Sequence, residues 1–499
     1  MVATASKAEG AKRWRDARLR HSRLLRVARP QALLRASMLV AILVPIAVSF
    51  IVYWPRLGDY FVYDDFFWLR AVRNHSFWVV MYRAFTFPTP REFDEVTLFW
   101  RPLTDLYFYG ARAFGLHPEP YHVVNVLVHG FVGSLAVVVL RRLTGSLAAS
   151  FAAGLIFIVA PTYEFAVTWI SQTSELFAAT FILCALLAYH SYLTADRRSH
   201  AHLAATTGFT ILALLAKESA IILLALLPGL AFALPSEQRR RSIAEVARSL
   251  APVAVVGTMF AVVMLVHEYR TEGDSYELGP HILRNLRDYL KWMVFPYRNG
   301  EGSEWRTLAT VLFLAAGGVT FLSRQRMLAF LFVWTIAALL PFCGFSFGIE
   351  LRYTYLATLP FVAFVVLTAV AAIDYAPLSS RRPLQALLAI AAVAILIITP
   401  MRTRDFQAFL VTEARAYETM VSSVRSLCGP MPRESSIFVL HPPYRDLYGI
   451  HTPAAVNLYY NRVHAVSVDE LPDLIAFVPK KCIIEYDPET RGYRRIEAG

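Results

Sequence analysis

Charged residues are scarce in this sequence. Asp, Glu, Lys and Arg together make up only 17% of the 499 residues, whereas 56% are hydrophobic. The mean hydropathy of +0.45 is too high for a water-soluble protein of this length. This composition excludes an ordinary soluble domain and predicts a protein with many apolar helices in a membrane.

Other features are missing as well, and each absence removes a class of site or fold. The sequence contains no glycine-rich phosphate loop, so we do not expect direct nucleotide binding. Its four cysteines do not follow a Cys/His spacing typical of structural zinc. No segment of about 20–50 residues recurs, which excludes a solenoid or a propeller.

The four cysteines lie in two different surroundings. Cys184 and Cys343 fall within apolar stretches, where we expect them only to pack. Cys428 and Cys482 fall in the C-terminal segment, where an oxidising compartment would permit a disulfide. Spacing in the sequence does not show that their Cα atoms come close enough, so this pairing is left open.

Apolar stretches of about 20 residues, long enough to cross a bilayer, dominate the sequence. We predict about eleven membrane-spanning helices, several of them short enough to require tilting or close pairing. They cover approximately residues 33–54, 121–140, 147–163, 174–193, 201–216, 219–234, 251–267, 307–322, 327–346, 354–373 and 384–400. The first is interpreted as an uncleaved helix rather than a signal peptide, because no small-x-small cleavage site closes its long apolar run.

The net charge of +12 is gathered in clusters. Residues 1–30 are rich in Lys and Arg, and the other clusters all fall in alternate loops of the eleven-helix arrangement. These clusters are Arg141-Arg142, Arg197-Arg198, Arg239-Arg240-Arg241, Arg324 with Arg326, and Arg381-Arg382. The pattern predicts a cytoplasmic N-terminus and, with an odd number of helices, an extracytoplasmic C-terminus. It favours membrane lipid over nucleic acid as the partner of the basic N-terminus.

The sequence divides into three parts. Residues 1–30 are predicted to form a basic cytoplasmic N-terminus, residues 31–400 a transmembrane domain, and residues 401–499 a small extracytoplasmic α/β domain. The transmembrane domain has two long outer loops, and apolar residues at helical spacing predict short surface helices within them. The loops cover residues 55–120 and 268–306, and the surface helices residues 65–71, 103–114 and 282–294.

The C-terminal domain is predicted to begin with a helix at about 404–427 and to continue with short strands. The strands are predicted at 436–440, 464–468, 474–478, 482–486 and 493–496. Residues 487–492 contain Asp, Pro and Gly and predict the turn of a hairpin.

An acidic pair, Asp64-Asp65, stands among aromatic residues just after the first predicted helix. One of the two could cap a surface helix that begins near Phe66, since Asp favours that position. Capping explains one carboxylate but not two. Adjacent carboxylates raise each other's proton affinity, which suits a general base at neutral pH. We therefore predict that at least one of them is catalytic.

Several other charged residues are predicted at the same outer side of the membrane. Arg101, held between Trp100 and Pro102, could bind a phosphate with two hydrogen bonds, or form an ordinary surface salt bridge. Charges near helix ends are expected to converge there as substrate-binding residues, or else to pair locally in turns. These residues are Glu164, Glu175, Lys217, Glu218 and Arg352, with Glu350 beside the last.

Asn125 and His129 are four residues apart on the second predicted helix and therefore share a face. A hydrogen bond between helices is the simpler interpretation of this pair. A polar wall of the substrate cavity, with His129 contacting the substrate, is the alternative.

With these residues in place, the sequence resembles the GT-C glycosyltransferases over roughly residues 40–375. Within that superfamily it resembles the transmembrane-and-tetratricopeptide O-mannosyltransferases and their bacterial homologues. The matching segments are Tyr63-Asp64-Asp65, Arg101-Pro102-Leu103-Thr104, Gly115-Leu116-His117-Pro118, Tyr121-His122 through His129, Pro161-Thr162-Tyr163-Glu164, Trp169-Ile170-Ser171, Ala216-Lys217-Glu218 and Arg352-Tyr353-Thr354-Tyr355-Leu356. The sequence departs from that family after residue 400, where it lacks tetratricopeptide repeats.

The resemblance implies a polytopic α-helical membrane enzyme of GT-C architecture, in the inner membrane of a bacterium. It would move a mannose-like sugar from a polyprenyl-phosphate donor to an acceptor hydroxyl on a protein, glycan or lipid, with inversion and with Asp64 or Asp65 as the base. Arg101, Lys217 and Arg352 would stabilise the charge that develops on the leaving phosphate. A divalent metal ion is left open as a cofactor, because some relatives use one, although the two aspartates alone are no clear ligand set.

Two other classes of function remain as alternatives. A lipid or solute transporter would also have many helices, but it predicts charges at mid-helix and an internal duplication, and neither is clear in the sequence. A non-catalytic membrane scaffold gives no reason for acidic and basic residues to gather at one side.

Overall fold

The computed structural model describes residues 31–86, 100–197, 199–235, 237–271, 276–294, 303–446, 449–460, 463–471, 478 and 480–496. Most of this part of the chain is α-helical. Its helices are α1 (Gln31–Tyr53), α2 (Asp65–Arg73), α3 (Phe77–Thr86), α4 (Pro102–Ala111), α5 (Pro118–Thr144), α6 (Leu147–Val159), α7 (Glu164–Thr168), α8 (Thr173–Thr194), α9 (His200–Ala216), α10 (Leu223–Ala233), α11 (Ile243–Thr271), α12 (His281–Val294), α13 (Ser303–Leu322), α14 (Arg326–Cys343), α15 (Tyr355–Tyr375), α16 (Leu378–Cys428) and α17 (His451–Asn457).

The apolar helices confirm the predicted fold class. Within the described residues, eight helices are long and apolar enough to cross a membrane. They are α1, α5, α8, α11, α13, α14, α15 and the first part of α16. The three remaining predicted spans are also helical but shorter, and correspond to α6, α9 and α10. The chain is thus a multi-pass membrane protein, whose short helices lie against longer neighbours.

Close packing of the bundle depends on small residues where helices cross. Gly130 of α5 faces α1, and a Cβ atom built there would lie 2.6 Å from the Cα atom of Ile46. Because that neighbour is backbone, no side chain could move aside for a larger residue. The same device, with small residues that let two helix backbones approach, is common in membrane bundles.

The basic loops and the predicted site residues lie at opposite ends of the bundle. α8 begins beside Glu175 and ends next to the loop that contains Arg197, while α9 runs back and ends at Lys217. Two of the basic loops also touch, since the Arg241 guanidinium donates to the carbonyl of Arg197 at 2.7 Å. The arrangement agrees with the positive-inside pattern, and the direction of the chain across the membrane stays a prediction.

The last membrane helix and the first helix of the C-terminal domain are one element. α16 has 51 residues and contains both Pro383 and Pro400. At a rise of about 1.5 Å per residue it is roughly 75 Å long. The helices predicted at 384–400 and at about 404–427 are thus one continuous helix, whose second half packs in a hydrophobic core.

A four-stranded sheet follows α16. Its strands are β1 (Ser436–Leu440), β2 (His464–Val468), β3 (Lys481–Asp487) and β4 (Gly492–Ile496), in the order β2-β1-β3-β4. β1 pairs in parallel with β2 and β3, and β4 closes an antiparallel hairpin on β3 at the predicted turn. Four of the five predicted strands are confirmed, and the one at 474–478 lies almost entirely outside the described residues.

One hydrophobic core joins the first outer loop to the C-terminal domain. Phe66 of α2 packs against Tyr417 of α16, with ring centroids 5.1 Å apart. The core also contains Phe61, Tyr121 and Trp169 from the membrane domain, and Met420, Val456 and Ile484 from the C-terminal domain. Because the two segments bury each other's apolar surface, neither outer part stands alone in the structure.

The open question of the two outer cysteines is answered by the structure. Cys428, at the end of α16, forms a disulfide with Cys482 in β3, and their Cα atoms are 5.7 Å apart. Cys184 and Cys343 lie in helices as free thiols, as expected.

Removing this disulfide should destabilise the C-terminal domain. Its two cysteines are separated by 54 positions, so their cross-link restricts a long loop of the unfolded chain. We expect Cys428→Ser combined with Cys482→Ser to lower the free energy of unfolding by about 2–4 kcal/mol. Thermal unfolding in detergent under oxidising conditions measures this loss, with Cys184→Ala as the control. Equal midpoints for wild type and double variant would contradict it.

Candidate active site

The two adjacent aspartates occupy different environments. Asp65 is only 1% exposed. Its carboxylate accepts hydrogen bonds from the main-chain N–H groups of Val62 at 3.0 Å and Ser171 at 2.7 Å, and from the Ser171 hydroxyl. Burial raises the pKa of Asp65 to about 7, although these hydrogen bonds oppose the rise. Asp65 therefore ties the outer loop to the short 3₁₀ helix Ile170–Gln172.

Asp64, in contrast, remains accessible. Its side chain is 22% exposed, and it makes no capping hydrogen bond to α2, although it stands at the N-cap position. The capping interpretation therefore does not account for this carboxylate. Its described close contact is with a histidine of the C-terminal domain, His451, whose Nε2 lies 3.8 Å from Asp64 Oδ1.

Tyr63, which directly precedes the two aspartates, has an unusual backbone conformation. Its φ angle of 47° lies in the left-handed region, which is unfavourable for a non-glycine residue. Its ring packs edge-on against Trp169, Tyr417 and His451. Its hydroxyl donates to Glu413 Oε2 at 2.6 Å. These contacts hold the turn that directs Asp65 toward Ser171 and Asp64 toward His451.

Arg101 and Glu218 form a bidentate pair in which Arg101 is buried and Glu218 is 35% exposed. Arg101 Nη2 lies 2.7 Å from Glu218 Oε1, and Arg101 Nε lies 3.0 Å from Oε2. Burial would lower the pKa of Arg101, but the Glu218 carboxylate outweighs it, and Asp64 adds to the rise. The structure thus brings together two predicted site residues and places Asp64 within electrostatic reach of them. A salt bridge is one of the two interpretations of Arg101, and a contact with phosphate stays a prediction.

Lys217 and Glu175 form a second pair, which is buried, behind the first. Lys217 Nζ lies 2.6 Å from Glu175 Oε2, and the two side chains are 1% and 0% exposed. Nζ also lies 5.0 Å from the ring centroid of Tyr353 and 5.6 Å from that of Phe342. Lys217 lies between the end of α9 and the 3₁₀ helix Glu218–Ile222, and Glu175 lies in the first turn of α8. The ion pair therefore connects α8 to the end of α9.

Arg352 differs from the other two cations. Its guanidinium carbon lies 4.5 Å from the ring centroid of Trp169 and 4.9 Å from that of Tyr353. Its Nη2 donates to the Tyr353 hydroxyl at 3.2 Å, while its buried Nε has no hydrogen-bond partner. In the part of the chain that the structure describes, no carboxylate lies within ion-pair distance of Arg352. Because Trp169 also contacts Tyr63, this cation belongs to the same site as Asp64.

Asn125, His129 and Glu164 lie deeper in the bundle. His129 has one ring nitrogen 2.9 Å from the Tyr355 hydroxyl and the other 3.1 Å from the Ile158 carbonyl. Both nitrogens are thus occupied, which leaves none for a substrate and favours the helix–helix interpretation. The Asn125 amide likewise donates to the carbonyls of Val167 and Trp169. Glu164 is buried at the first position of α7.

Four residues of this site were not singled out in the sequence, namely Ser171, Glu413, Asp446 and His451. Ser171 stands in the Trp-Ile-Ser motif, which was the only local signal for it. The other three come from the C-terminal segment, where nothing in their spacing indicates contact with an aspartate near the N-terminus. Among the described residues, no group of three His, Cys, Asp or Glu side chains is arranged to hold a metal ion.

Comparisons with known proteins give a partial match in sequence. No protein-family model matches the chain. Protein O-mannosyl-transferase Tmtc2 of Drosophila melanogaster is 33% identical over 190 residues, which are 35% of this chain and 20% of that protein. Tmtc1 of the same fly is 32% identical over 200 residues, 39% of this chain and 23% of that protein. Human TMTC2 is 31% identical over 158 residues, 30% and 18% of the two chains. The match thus spans about a fifth of these relatives' length.

A solved structure matches nearly the whole fold. It is the crystal structure of ArnT from Cupriavidus metallidurans bound to undecaprenyl phosphate, which aligns with a TM-score of 0.50 at 13% sequence identity. The alignment covers 90% of this chain and 93% of ArnT. The likeness therefore includes the arrangement of the membrane helices and extends to most of the chain.

Proposed function

Since the chain has the GT-C fold and is related in sequence to the Tmtc O-mannosyl-transferases, we propose that it is a membrane glycosyltransferase. Its donor would be a sugar, mannose-like, on a polyprenyl phosphate. Its acceptor would be a hydroxyl group on the extracytoplasmic face. The observation that carries this proposal is that one site holds both an accessible carboxylate, Asp64, and the Arg352 guanidinium, which stacks on Trp169 beside Tyr63.

Asp64 is the residue that we propose as general base. It would take the proton from the acceptor hydroxyl as that oxygen attacks the anomeric carbon of the sugar. The bond between this carbon and the phosphate oxygen would break, and a displacement from the opposite side would invert the anomeric configuration. Asp65 is enclosed and saturated with hydrogen bonds, so we assign it the task of fixing the turn.

The basic residues would act on the leaving phosphate. Arg352 has donor groups without a carboxylate partner among the described residues, and its stacking on Trp169 holds its plane in place. A guanidinium matches phosphate geometry with two hydrogen bonds. Arg101 contributes its positive charge while Glu218 orients it. Lys217 is enclosed and paired with Glu175, so we propose that this pair supports the site without contacting the donor.

The position of the site relative to the membrane also belongs to this proposal. The disulfide lies in the domain that packs against Asp64, and such bonds persist in oxidising compartments outside the cytoplasm. The basic loops lie at the far end of the bundle, where the positive-inside rule expects the cytoplasm. Both observations support an extracytoplasmic site and C-terminus in an inner membrane.

Sugar transfer by the purified protein in detergent tests the proposal. We expect the wild type to release or transfer sugar from radiolabelled polyprenyl-phosphate mannose in the presence of an acceptor-containing extract. Arg352→Gln should weaken productive use of the donor, lowering kcat/KM about 10- to 100-fold, because a charged hydrogen bond to phosphate contributes about 1.5–3 kcal/mol.

The control for this variant is Arg248→Gln, which removes an exposed arginine from α11 at the other end of the bundle. Its turnover should equal that of the wild type. No turnover by the wild type with mannose, glucose or aminosugar donors would overturn the proposed function and favour transport. Equal kcat/KM for wild type and Arg352→Gln would remove Arg352 from the phosphate site.

A further inference from the structure

A histidine from the C-terminal domain stands between two carboxylates at the edge of the site. His451 is the first residue of α17 and is only 6% exposed. Its Nε2 lies 3.8 Å from Asp64 Oδ1, and its Nδ1 lies 3.5 Å from Asp446 Oδ1. The three side chains form a row that connects the proposed base to the C-terminal domain.

Asp446 is itself firmly held. Its carboxylate accepts hydrogen bonds from the main-chain N–H groups of His451 at 2.8 Å and Thr452 at 3.2 Å, and from the Ser467 hydroxyl at 2.6 Å. These contacts attach Asp446 to the start of α17 and to β2. The far end of the row is therefore anchored in the sheet.

The groups that face His451 determine its charge. Asp64 and Asp446 are the acidic neighbours, Tyr63 and Phe67 contribute aromatic rings, and Glu413 lies beyond Tyr63. Burial alone would lower the pKa of His451, but the two carboxylates outweigh it and raise the pKa above its usual value. Burial likewise opposes ionisation of Asp446, yet His451, Ser467 and Thr452 lower its pKa to about 2.

We propose that His451 is a positioning residue for Asp64, so that the C-terminal domain completes the active site. The imidazolium holds one oxygen of Asp64, which leaves the other directed at the acceptor hydroxyl. Asp446 faces the other ring nitrogen, Nδ1, at 3.5 Å. This inference rests on the proposed function, because it assigns Asp64 the part of the base.

Two observations distinguish this role from simple attachment of the domain. The hydrophobic core around Tyr417 and the disulfide already join the C-terminal domain to the rest of the protein. A buried charged group is costly unless it is paired, so an apolar residue at position 451 would serve attachment better. The His451 ring also reaches Asp64, the accessible aspartate of the pair. Asp65 instead accepts a hydrogen bond from the Ser171 hydroxyl.

The test compares His451→Gln with His464→Gln. The second residue lies in the same domain, on the surface of β2, where it pairs with Glu434. Gln keeps hydrogen-bonding capacity but carries no charge. We expect His451→Gln to lower kcat about 10- to 100-fold, because displacement of a catalytic group by about 1 Å can cost that much. The KM for the donor should change little, and His464→Gln should match the wild type.

The pH profile supplies a readout that a merely structural role would not alter. Since the pKa of His451 is raised in the folded protein, the imidazolium and its effect are present below about pH 6.5. They are lost as the pH rises through the higher folded-state value. Wild-type turnover should therefore fall on the alkaline side, and this fall should be absent from the reduced activity of His451→Gln. A His451→Gln enzyme with wild-type kcat, or with the same alkaline fall, would overturn the inference.

A measurement without turnover separates this inference from the proposed function. Thermal unfolding of the wild type, Asp64→Asn, His451→Gln and the double variant at pH 6 and pH 9 gives the coupling between the two residues. We expect Tm losses that are less than additive at pH 6 and closer to additive at pH 9. If the wild type transfers no sugar, the proposed function fails, and this cycle still decides the pairing. Additive losses at both pH values would refute the pairing.

Discussion

Asp64→Asn is expected to lower the rate of sugar transfer by about 10²- to 10⁴-fold, the usual contribution of a positioned general base. The amide has nearly the shape of the carboxylate but cannot take the proton of the acceptor hydroxyl. Because Asp64 is partly exposed and makes no capping hydrogen bond, the variant should still fold, with a Tm loss limited to its contact with His451. Initial rates with the polyprenyl-phosphate donor, together with the Tm of each preparation, measure both parts of this expectation.

The neighbouring residue provides the matched comparison. Asp65→Asn would place an amide NH₂ group against the N–H and hydroxyl donors of Val62 and Ser171, so its main effect should be a lower Tm. Loss of activity in Asp65→Asn at an unchanged Tm would identify Asp65 as the general base instead of Asp64. Full activity in both variants would exclude either aspartate as the base.

Glu175→Ala is expected to destabilise the protein by about 3–5 kcal/mol, because it leaves the charge of Lys217 buried without a partner. Neither side chain reaches solvent, and Nζ is otherwise surrounded by the rings of Phe342 and Tyr353. Water cannot replace the lost carboxylate there without opening the contact between the 3₁₀ helix Glu218–Ile222 and α14. Thermal and denaturant unfolding in detergent would measure this loss.

Two further variants test whether the unpaired charge of Lys217 causes the loss of stability in Glu175→Ala. Glu175→Leu combined with Lys217→Met removes both charges and should recover much of the lost stability, since apolar residues often replace a buried pair without cost. Asp196→Ala removes an acidic residue from an exposed pair with Arg240, and should change stability by less than about 0.5 kcal/mol. A double variant that is less stable than Glu175→Ala alone would contradict the explanation.

The membrane helices could be predicted from sequence because lipid imposes a simple rule on each of them. Every span must satisfy its own backbone and present apolar side chains, so its signal is local. All eleven predicted stretches are helical. The strands at residues 436–440 and 464–468 were likewise predicted to the residue, because short β-branched runs between turn residues mark them.

No local signal of this kind indicated that the last membrane helix continues into the C-terminal domain. Separate helices are predicted at 384–400 and at about 404–427, whereas the structure has one continuous helix, α16, across both ranges. The second half of α16 buries Tyr417 and Met420 against α2 and the sheet. That partner surface is remote in sequence, and hydropathy of a single segment does not indicate it.

Sequence could predict which residues belong to the site, but it could not predict which of them form ion pairs with each other. The sequence identified Asp64, Arg101, Lys217, Glu218 and Arg352 as charges at one side. It did not show that Glu218 faces Arg101 while Glu175 faces Lys217, since adjacent residues point to different neighbours when the chain changes from α9 to a 3₁₀ helix. For the same reason the division of tasks between Asp64 and Asp65 depends on the strained turn at Tyr63 and on Ser171.

The contact between Asp64 and His451 also sets an order of events during biosynthesis. Almost the whole protein separates these residues, and at about 5–20 residues per second the ribosome needs roughly 20–80 s to cover that distance. During this interval the nascent chain already carries its acidic pair and most of its membrane helices, but not the histidine. A truncated product that stops after the last membrane helix would therefore insert into the bilayer with an incomplete site. The site is thus assembled only after the segment that contains His451 has been translated.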